Sequence, residues 1–482
     1  MGDLGNPAYQ FVDFLSASGQ SLWQVLPLGP AGYGNSPYQA LSSMGGNPLL
    51  LSLESIAAEG WIAKAALDDA PEFPGDFVDF GALIPFKWKI LKAAAKTFFQ
   101  DSANPRRAEF EDFHSRHREW LDSFAQFMAL KDANGGVAWP EWRQRFNPDP
   151  EEVLAHKFIQ FEFFRQWGAL KRYANERGVR IIGDLPIFVA HDSADVWANK
   201  NLFDLHEDGS PRTIAGVPPD YFSATGQRWG NPLYRWDVMA ASGYRWWIER
   251  MRATLEMVDI VRLDHFRGFE KYYEIPATAA TAETGRWVEG PGSGLFAALE
   301  RALGKLPVIA EDLGFITPEV EALREHWGFP GMRVLQFAFG DELAADSFKP
   351  HNYVRNCVVY TGTHDNDTTV GWFNGLDSGK STLTPAQVQA ERDFALRYLH
   401  SDGSEIHWDF IRAALASVAG MAIIPMQDVL GLGSEARMNL PASSENNWRW
   451  RFRESELKPA LASRLQNLTR IYGRLAQSPG VS

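Results

Sequence analysis

Val258-Asp-Ile-Val-Arg-Leu-Asp-His265 reads as a short, apolar, β-branched strand that ends in a carboxylic acid, Asp264. Two further stretches share the pattern. In Pro307-Val-Ile-Ala-Glu-Asp312 the acid is Glu311, and in Asn356-Cys-Val-Val-Tyr-Thr-Gly-Thr-His-Asp-Asn366 it is Asp365. An acid in a buried position is costly unless it is paired or employed in chemistry. Parallel strands whose C-terminal ends carry the chemistry mark a barrel or doubly wound enzyme. Asp264, Glu311 and Asp365 are therefore the first candidates for catalysis.

Four more segments read as strands of the same kind: Ser21-Leu-Trp-Gln-Val-Leu-Pro27, Val179-Arg-Ile-Ile-Gly-Asp-Leu-Pro186, Met332-Arg-Val-Leu-Gln-Phe337 and Met421-Ala-Ile-Ile-Pro425. Helical patterns sit between strands, as in 154–177 and 244–256. Strands alternating with helices imply a parallel sheet, and seven candidates approach the eight of a closed barrel. The expected fold class is α/β, a (β/α)8 TIM barrel with inserted, mostly helical subdomains. Residues 50–150, rich in Ala, Phe, Trp and charge at helical spacing, are expected to form an inserted helical subdomain. Residues 190–243 read as loop, dense in Gly, Pro, Asp, Asn and aromatics. Loops of that length in compact domains are usually functional.

The chain has 482 residues, 45% of them hydrophobic, enough for two or three compact domains or for one barrel with sizeable insertions. A net charge of −13 argues against nucleic acid or an anionic membrane as a main partner. A neutral, hydroxyl-rich ligand suits this balance better. Cys357 is the only cysteine, so no intramolecular disulfide or thiolate cluster is possible, which is compatible with a cytoplasmic location. No basic segment followed by an apolar core opens the sequence, and no run of about 18 apolar residues occurs. Most of the 18 Trp residues are expected to serve packing, but flat indole surfaces also suit the apolar faces of sugar rings.

Residues two apart on a strand share a face, so Arg262 can hold Asp264 ionised. Glu311 follows Val-Ile-Ala, where desolvation raises a carboxyl pKa and suits it to general acid/base work. One charged and one protonated carboxyl is what retaining glycoside chemistry requires. The bland reading makes Arg262–Asp264 a structural ion pair and Glu311 a capping acid. Asp184, at the end of Arg-Ile-Ile-Gly-Asp, holds a substrate hydroxyl or caps the next turn. His364 could hydrogen-bond a sugar hydroxyl. Gly29-Pro-Ala-Gly-Tyr-Gly-Asn-Ser-Pro-Tyr38 lacks the Lys-Ser/Thr ending and fingerprint spacing of a phosphate loop. Tyr33 and Tyr38 on it instead look like platforms for a sugar ring. His191-Asp192 and His364-Asp365 resemble the pairs of metal phosphohydrolases, but the further histidines that such sites need are missing at suitable spacing.

Taken together, these motifs resemble the 4-α-glucanotransferase (amylomaltase, or disproportionating enzyme) family of the α-amylase clan. The matching blocks are Trp23–Gln39, Gly183–Val189, Ala215–Pro232, Arg262–Gly268, Ala310–Gly314, Gly362–Asn366, Arg437-Met-Asn439 and Asn447-Trp448. The resemblance implies Asp264 as nucleophile, Glu311 as general acid/base and Asp365 as a stabiliser of the transition state. It implies that Arg262, His364 and Asp184 hold substrate, and that Tyr33, Ser36 and Tyr38 line subsites around the scissile bond. Asp220, Tyr221, Phe222, Gln227 and Trp229 would belong to a loop that covers the cleft and shapes acceptor binding. Maltooligosaccharides and α-1,4-glucans are the implied partners, with no metal and no organic cofactor; oligomeric state stays open. Family members usually carry a strand and a Ser-Leu-Pro turn before the Gly-Asp-Leu-Gly found here at residues 2–5. The first barrel strand is therefore expected to be missing from this chain. A misplaced start is the preferred explanation, because an open seam would expose unpaired strand edges.

Overall fold

The computed structural model describes residues 2–142, 147–219, 225–340, 343–375, 384–441, 443 and 445–476. Eleven strands occur among them: β1 (Leu22–Gln24), β2 (Arg180–Leu185), β3 (Thr213–Val217), β4 (Gln227–Pro232), β5 (Ile260–Leu263) and β6 (Lys271–Pro276). They continue with β7 (Arg286–Glu289), β8 (Val308–Ala310), β9 (Gly331–Val334), β10 (Cys357–Tyr360) and β11 (Met421–Ile423). Six of the seven segments read as strands from the sequence contain one of the parallel strands, and Met332–Phe337 overlaps the seventh, β9, which begins at Gly331.

Those seven form two parallel sheets, β1-β2-β5-β8 and β9-β10-β11. The sheets meet at β8 and β9, where Ala310 N–H donates to the Pro330 carbonyl at 2.9 Å. Just beyond, Met332 N–H donates to Asp312 Oδ1 at 2.6 Å. Gly331 makes this junction possible, since a Cβ there would collide with the Asp312 carboxylate. The row curls: Leu22 from β1 and Met421 and Ile423 from β11 pack on one cluster with Ile182, Ile260, Ile309, Met332, Val334, Val358 and Tyr360. Strands at both ends of the row thus share the apolar core of its concave side. Among the described residues β1 pairs with β2 alone and β11 with β10 alone.

The parallel strands are short and buried, as expected where both faces are covered. On the convex side lie the helices, of which Pro150–Glu176 is central. Asp149 caps it by accepting from Glu151 N–H at 2.9 Å, Pro150 opens it, and Gly178 turns the chain with φ 76°. Helices Phe80–Gln100 and Arg107–Ala133, within 50–150, pack on it through Phe98, Phe110, Phe113, Phe158 and Phe161. Their apolar residues belong to the same cluster as those of β2 and β5, so one core runs through both regions.

The segment 190–243 is richer in structure than a loop reading allows. It holds helices Ala194–Ala198 and Trp236–Ala241 and contributes β3 and β4 to an antiparallel sheet of order β4-β3-β6-β7. The composition that suggested loop belongs to two paired strands, the inner β3 and the edge β4, each carrying a glycine. Gly216 faces the Gln227 backbone too closely for any Cβ, and Gly230 has φ 81°.

Candidate active site

The C-terminal ends of β2, β5 and β8 bring together four of the charged residues singled out in the sequence. Asp184 and Arg262 are register partners on adjacent strands, so their side chains share a face. Arg262 Nη1 donates to Asp184 Oδ1 and Oδ2 at 2.7 and 2.6 Å and to Asp264 Oδ1 at 2.8 Å. Gly183 lets β2 pass close under the chain at Val258, whose Cγ1 would lie 2.5 Å from a Cβ. Burial alone would weaken the Arg262 charge, but Asp184 and then Asp264 outweigh it and hold the guanidinium well above its ordinary range. Arg262 and Asp184 are buried, whereas the Asp264 side chain keeps 27% of its exposure. Asp264 is thus the member of the group that a ligand can reach.

Glu311 follows β8 directly and is 9% exposed. Its Oε2 accepts from His265 N–H at 2.6 Å and its Oε1 from Leu313 N–H at 2.9 Å. His265 is the residue after Asp264 and takes a left-handed conformation, φ 50°, so the bond ties the two acids across neighbouring strands. Burial raises the Glu311 carboxyl to about 8; Arg262 opposes the rise, Asp264 adds to it, and the two backbone bonds oppose it again. A group in this range can give up and regain a proton near neutral pH. Desolvation, which the sequence reading expected to raise the Glu311 carboxyl, is the largest cause of its rise. The capping alternative for Glu311 has no helix to cap, since the next one begins at Pro318.

Asp365 differs from the expectation of a buried strand-end acid. Strand β10 ends at Tyr360, and a turn tied by Thr363 N–H to Asn366 Oδ1 at 2.9 Å intervenes. The Asp365 side chain is 48% exposed. Asn439 Nδ2 donates to Asp365 Oδ1 at 2.6 Å, and Arg437 Nη2 donates to the Asp365 carbonyl at 2.7 Å. Behind the turn, buried Asp428 clamps both of its ends. It accepts from Thr361 Oγ1 at 2.5 Å, from Thr369 N–H at 2.8 Å and from Thr369 Oγ1 at 2.8 Å.

Tyr38 links the two regions. Its hydroxyl donates to Asp184 Oδ2 at 2.6 Å and lies 3.3 Å from His364 Nδ1. Its ring stacks on His364 with centroids 4.9 Å apart, and Trp448 packs against both. Burial pushes the Tyr38 phenol well above its usual range, so it stays a neutral donor. Asp184, read from sequence as a hydroxyl holder or cap, is engaged by Arg262 and Tyr38. Ser36 Oγ accepts from Tyr38 N–H at 3.3 Å, and Tyr33, 83% exposed, stands on the same turn. Gln227 and Trp229 lie on β4, bonded to each other at 3.2 Å, and Trp229 meets the His265 ring edge-to-face at 4.8 Å. Burial and then Arg267 lower the His265 imidazole to about 4, leaving it neutral at pH 7. Asp220, Tyr221 and Phe222 lie outside the described residues.

His191 and Asp192 serve packing: His191 Nε2 lies 2.8 Å from the Gly209 carbonyl, and Asp192 pairs with Lys131 at 2.6 Å. Among the described residues one group has metal-ligating types close together, Asp132, Glu152 and His156 on the outer helices. The Lys92 ammonium already pairs with Asp132 at 3.0 Å and Glu152 at 2.7 Å. Sequence reasoning did not single out Asn439 or Asp428 as site residues. Asn439 stood within a quoted motif, but its bond to Asp365 spans 74 residues and only the fold shows it.

The family model described as 4-alpha-glucanotransferase matches residues 1–457. A 4-alpha-glucanotransferase of Synechocystis sp. is 49% identical, covering 98% of this chain and 95% of the relative. One of Thermus thermophilus is also 49% identical, covering 98% and 96%. Among solved structures, an amylomaltase from Streptococcus agalactiae in complex with acarbose superposes with a TM-score of 0.92 at 37% identity, covering 99% of this chain and 96% of the other. The chain belongs to the 4-alpha-glucanotransferase family.

Proposed function

We propose that this member of the 4-alpha-glucanotransferase family moves an α-1,4-glucan segment from a donor maltooligosaccharide to the 4-hydroxyl of an acceptor glucan or glucose. The reaction is a retaining double displacement. Glu311 protonates the glycosidic oxygen while an Asp264 carboxylate oxygen attacks the anomeric carbon, and the leaving segment departs with the proton. Glu311, now ionised, takes the proton of an acceptor 4-hydroxyl as its oxygen displaces Asp264 from the anomeric carbon. Net configuration is retained and no group is consumed. The observation that carries this reading is the pair itself. Asp264 is held by the Arg262 guanidinium and still reachable, beside a buried Glu311 raised to about 8.

The other residues fall into place around the pair. Asp365, fixed by Asn439, grips ring hydroxyls in the transition state, and His364, Tyr38 and Arg262 with Asp184 shape the wall behind the reacting sugar. Tyr33 and Ser36 border the neighbouring subsites. Asp220, Tyr221, Phe222, Gln227 and Trp229, within 215–232, cover the cleft, keep water from the intermediate and shape acceptor binding. The curled row of seven parallel strands supports a single catalytic (β/α)8-type barrel, with 50–150 as its helical insertion and 190–243 as its substrate-covering one. No helix among the described residues is long and apolar enough to cross a membrane, which is compatible with work on α-glucans in the cytoplasm.

Incubation with maltotriose tests the reading. Transfer yields glucose together with maltooligosaccharides longer than the substrate, whereas glucose and maltose alone would replace it with a hydrolase reading.

A further inference from the structure

Phe315 is 75% exposed; among the described residues only Tyr33 is a large apolar side chain more open to solvent. It does not dangle. The Phe315 carbonyl accepts from Arg267 Nη1. Arg267 is itself 5% exposed, three residues beyond Asp264 in the turn Phe266–Phe269. Its guanidinium lies 3.7 Å from the ring centroid of Trp287, on β7, and 5.5 Å from that of Phe315. Trp287, Arg267 and Phe315 thus form a layered stack with one open aromatic at its end. The same short loop curls round the proposed acid/base, because Leu313 N–H donates to Glu311 Oε1 at 2.9 Å. Only Gly314 separates Leu313 from Phe315, a span of at most about 7 Å.

We infer that Phe315 is a stacking platform for the acceptor glucan, one or two sugar units beyond the acceptor's reacting hydroxyl. This rests on the transferase reading. Glu311 is the group that protonates the leaving segment and later deprotonates the incoming hydroxyl, so a loop wrapped round Glu311 lies on the side of the cleft where leaving segment and acceptor sit. A flat ring held out in water carries an unfavourable apolar surface. The apolar face of a pyranose can cover it while the sugar keeps its hydroxyls solvated. Arg267 anchors the Phe315 backbone through its carbonyl and lies 5.5 Å from the ring centroid, which lowers the ordering entropy that opposes the contact. Free glucose, whose single ring sits at the reacting position, does not reach the platform. Phe315 therefore selects for acceptor length rather than for reaction.

The test compares wild type, Phe315→Ala and Phe315→Trp at fixed donor with glucose or maltotetraose as acceptor. It adds calorimetric binding of maltoheptaose in the Asp264→Asn background with and without Phe315→Ala. Phe315→Ala is expected to raise KM for maltotetraose about tenfold, which is about 1.4 kcal/mol, and to shift KM for glucose by less than about twofold. The binding comparison is expected to lose a similar factor, and Phe315→Trp to keep wild-type values. Equal KM values for maltotetraose in wild type and Phe315→Ala would overturn the inference. So would an equal fall in kcat with both acceptors, which would make Phe315 a support for Glu311. If wild type only hydrolyses maltotriose, the transferase reading fails. The binding comparison then still decides, with an unchanged dissociation constant counting against the platform.

Discussion

The cluster at the ends of β2, β5 and β8 and the turn that carries Asp365 are held by different means. Asp184, Arg262, Asp264 and Glu311 are set by strand register and by bonds to residues immediately beside them in the row of parallel strands. Burial and charge contacts around one guanidinium shift the titration of Asp184, Arg262 and Glu311. Asp365 is half exposed on a turn, and its position comes from Asn439, Arg437 and the Asp428 clamp, all from the C-terminal part of the chain. The contrast teaches a division of labour. In the proposed mechanism, strand ends fix the nucleophile and the proton carrier, and a braced turn supplies the group that needs only to be in reach.

Substitutions should separate the two regions. The largest effect is expected for Asp264→Asn, which removes the attacking oxygen's charge: transfer should fall by about 10⁴ or more, with maltooligosaccharide binding retained. A variant that still turns over would remove Asp264 from the nucleophile's role. Glu311→Gln should cost about 10²–10⁴, and much of the first step should return with a glycosyl fluoride donor, whose leaving group needs no proton. In wild type the alkaline fall of kcat should follow loss of the Glu311 proton near pH 8.

The same group makes a stability prediction whose sign follows from its raised pKa. The folded protein holds this proton more tightly than the unfolded chain, where the carboxyl titrates near 4.5. That contribution is complete below about pH 4.5 and is lost as pH rises through about 8. Thermal melts of Glu311→Gln should therefore gain on wild type progressively between those values. A constant offset across that window would mean that Glu311 is not buried in its neutral form.

Effects in the braced turn should be smaller and should leave the pH profile alone. Asn439→Ala is expected to lower kcat by about 10–10² by freeing Asp365, of the order of one lost transition-state contact or less. A shifted alkaline limb in that variant would show that the two regions are electrically coupled after all. Thr361→Val removes one of the bonds to Asp428 and should cost about tenfold or less in kcat. Thr361→Ser should restore it, and failure of that rescue would make the clamp a matter of packing alone.

The same contrast explains what could be read from sequence. Short apolar β-branched runs ending in Asp264 and Glu311 encode both strand and site locally, because register makes near neighbours of Asp184, Arg262 and Asp264. The seven parallel strands were legible for that reason. The Asp365 turn was misread as a buried strand end because Val-Val-Tyr continues smoothly into Thr-Gly-Thr, and only the Thr363–Asn366 bond shows where the strand stops. Asn439, Asp428 and Arg267 act through partners 48 to 74 residues away, which no local pattern displays. The antiparallel sheet in 190–290 was hidden because β3 and β4 each carry a glycine and sit among Pro, Asp and Asn residues whose composition is that of a loop. Expected roles for Asp220, Tyr221 and Phe222 fall outside the described residues and rest on the motif alone.

The central claim is that Asp264 forms a covalent bond to the transferred sugar while Glu311 shuttles the proton. Trapping with a 5-fluoro α-glucosyl fluoride, followed by peptide mapping by mass spectrometry, tests it most directly. The account predicts a single glucosyl adduct on the peptide containing Asp264, absent in Asp264→Asn. An adduct on another carboxylate, or turnover that inverts the anomeric configuration without any adduct, would contradict it.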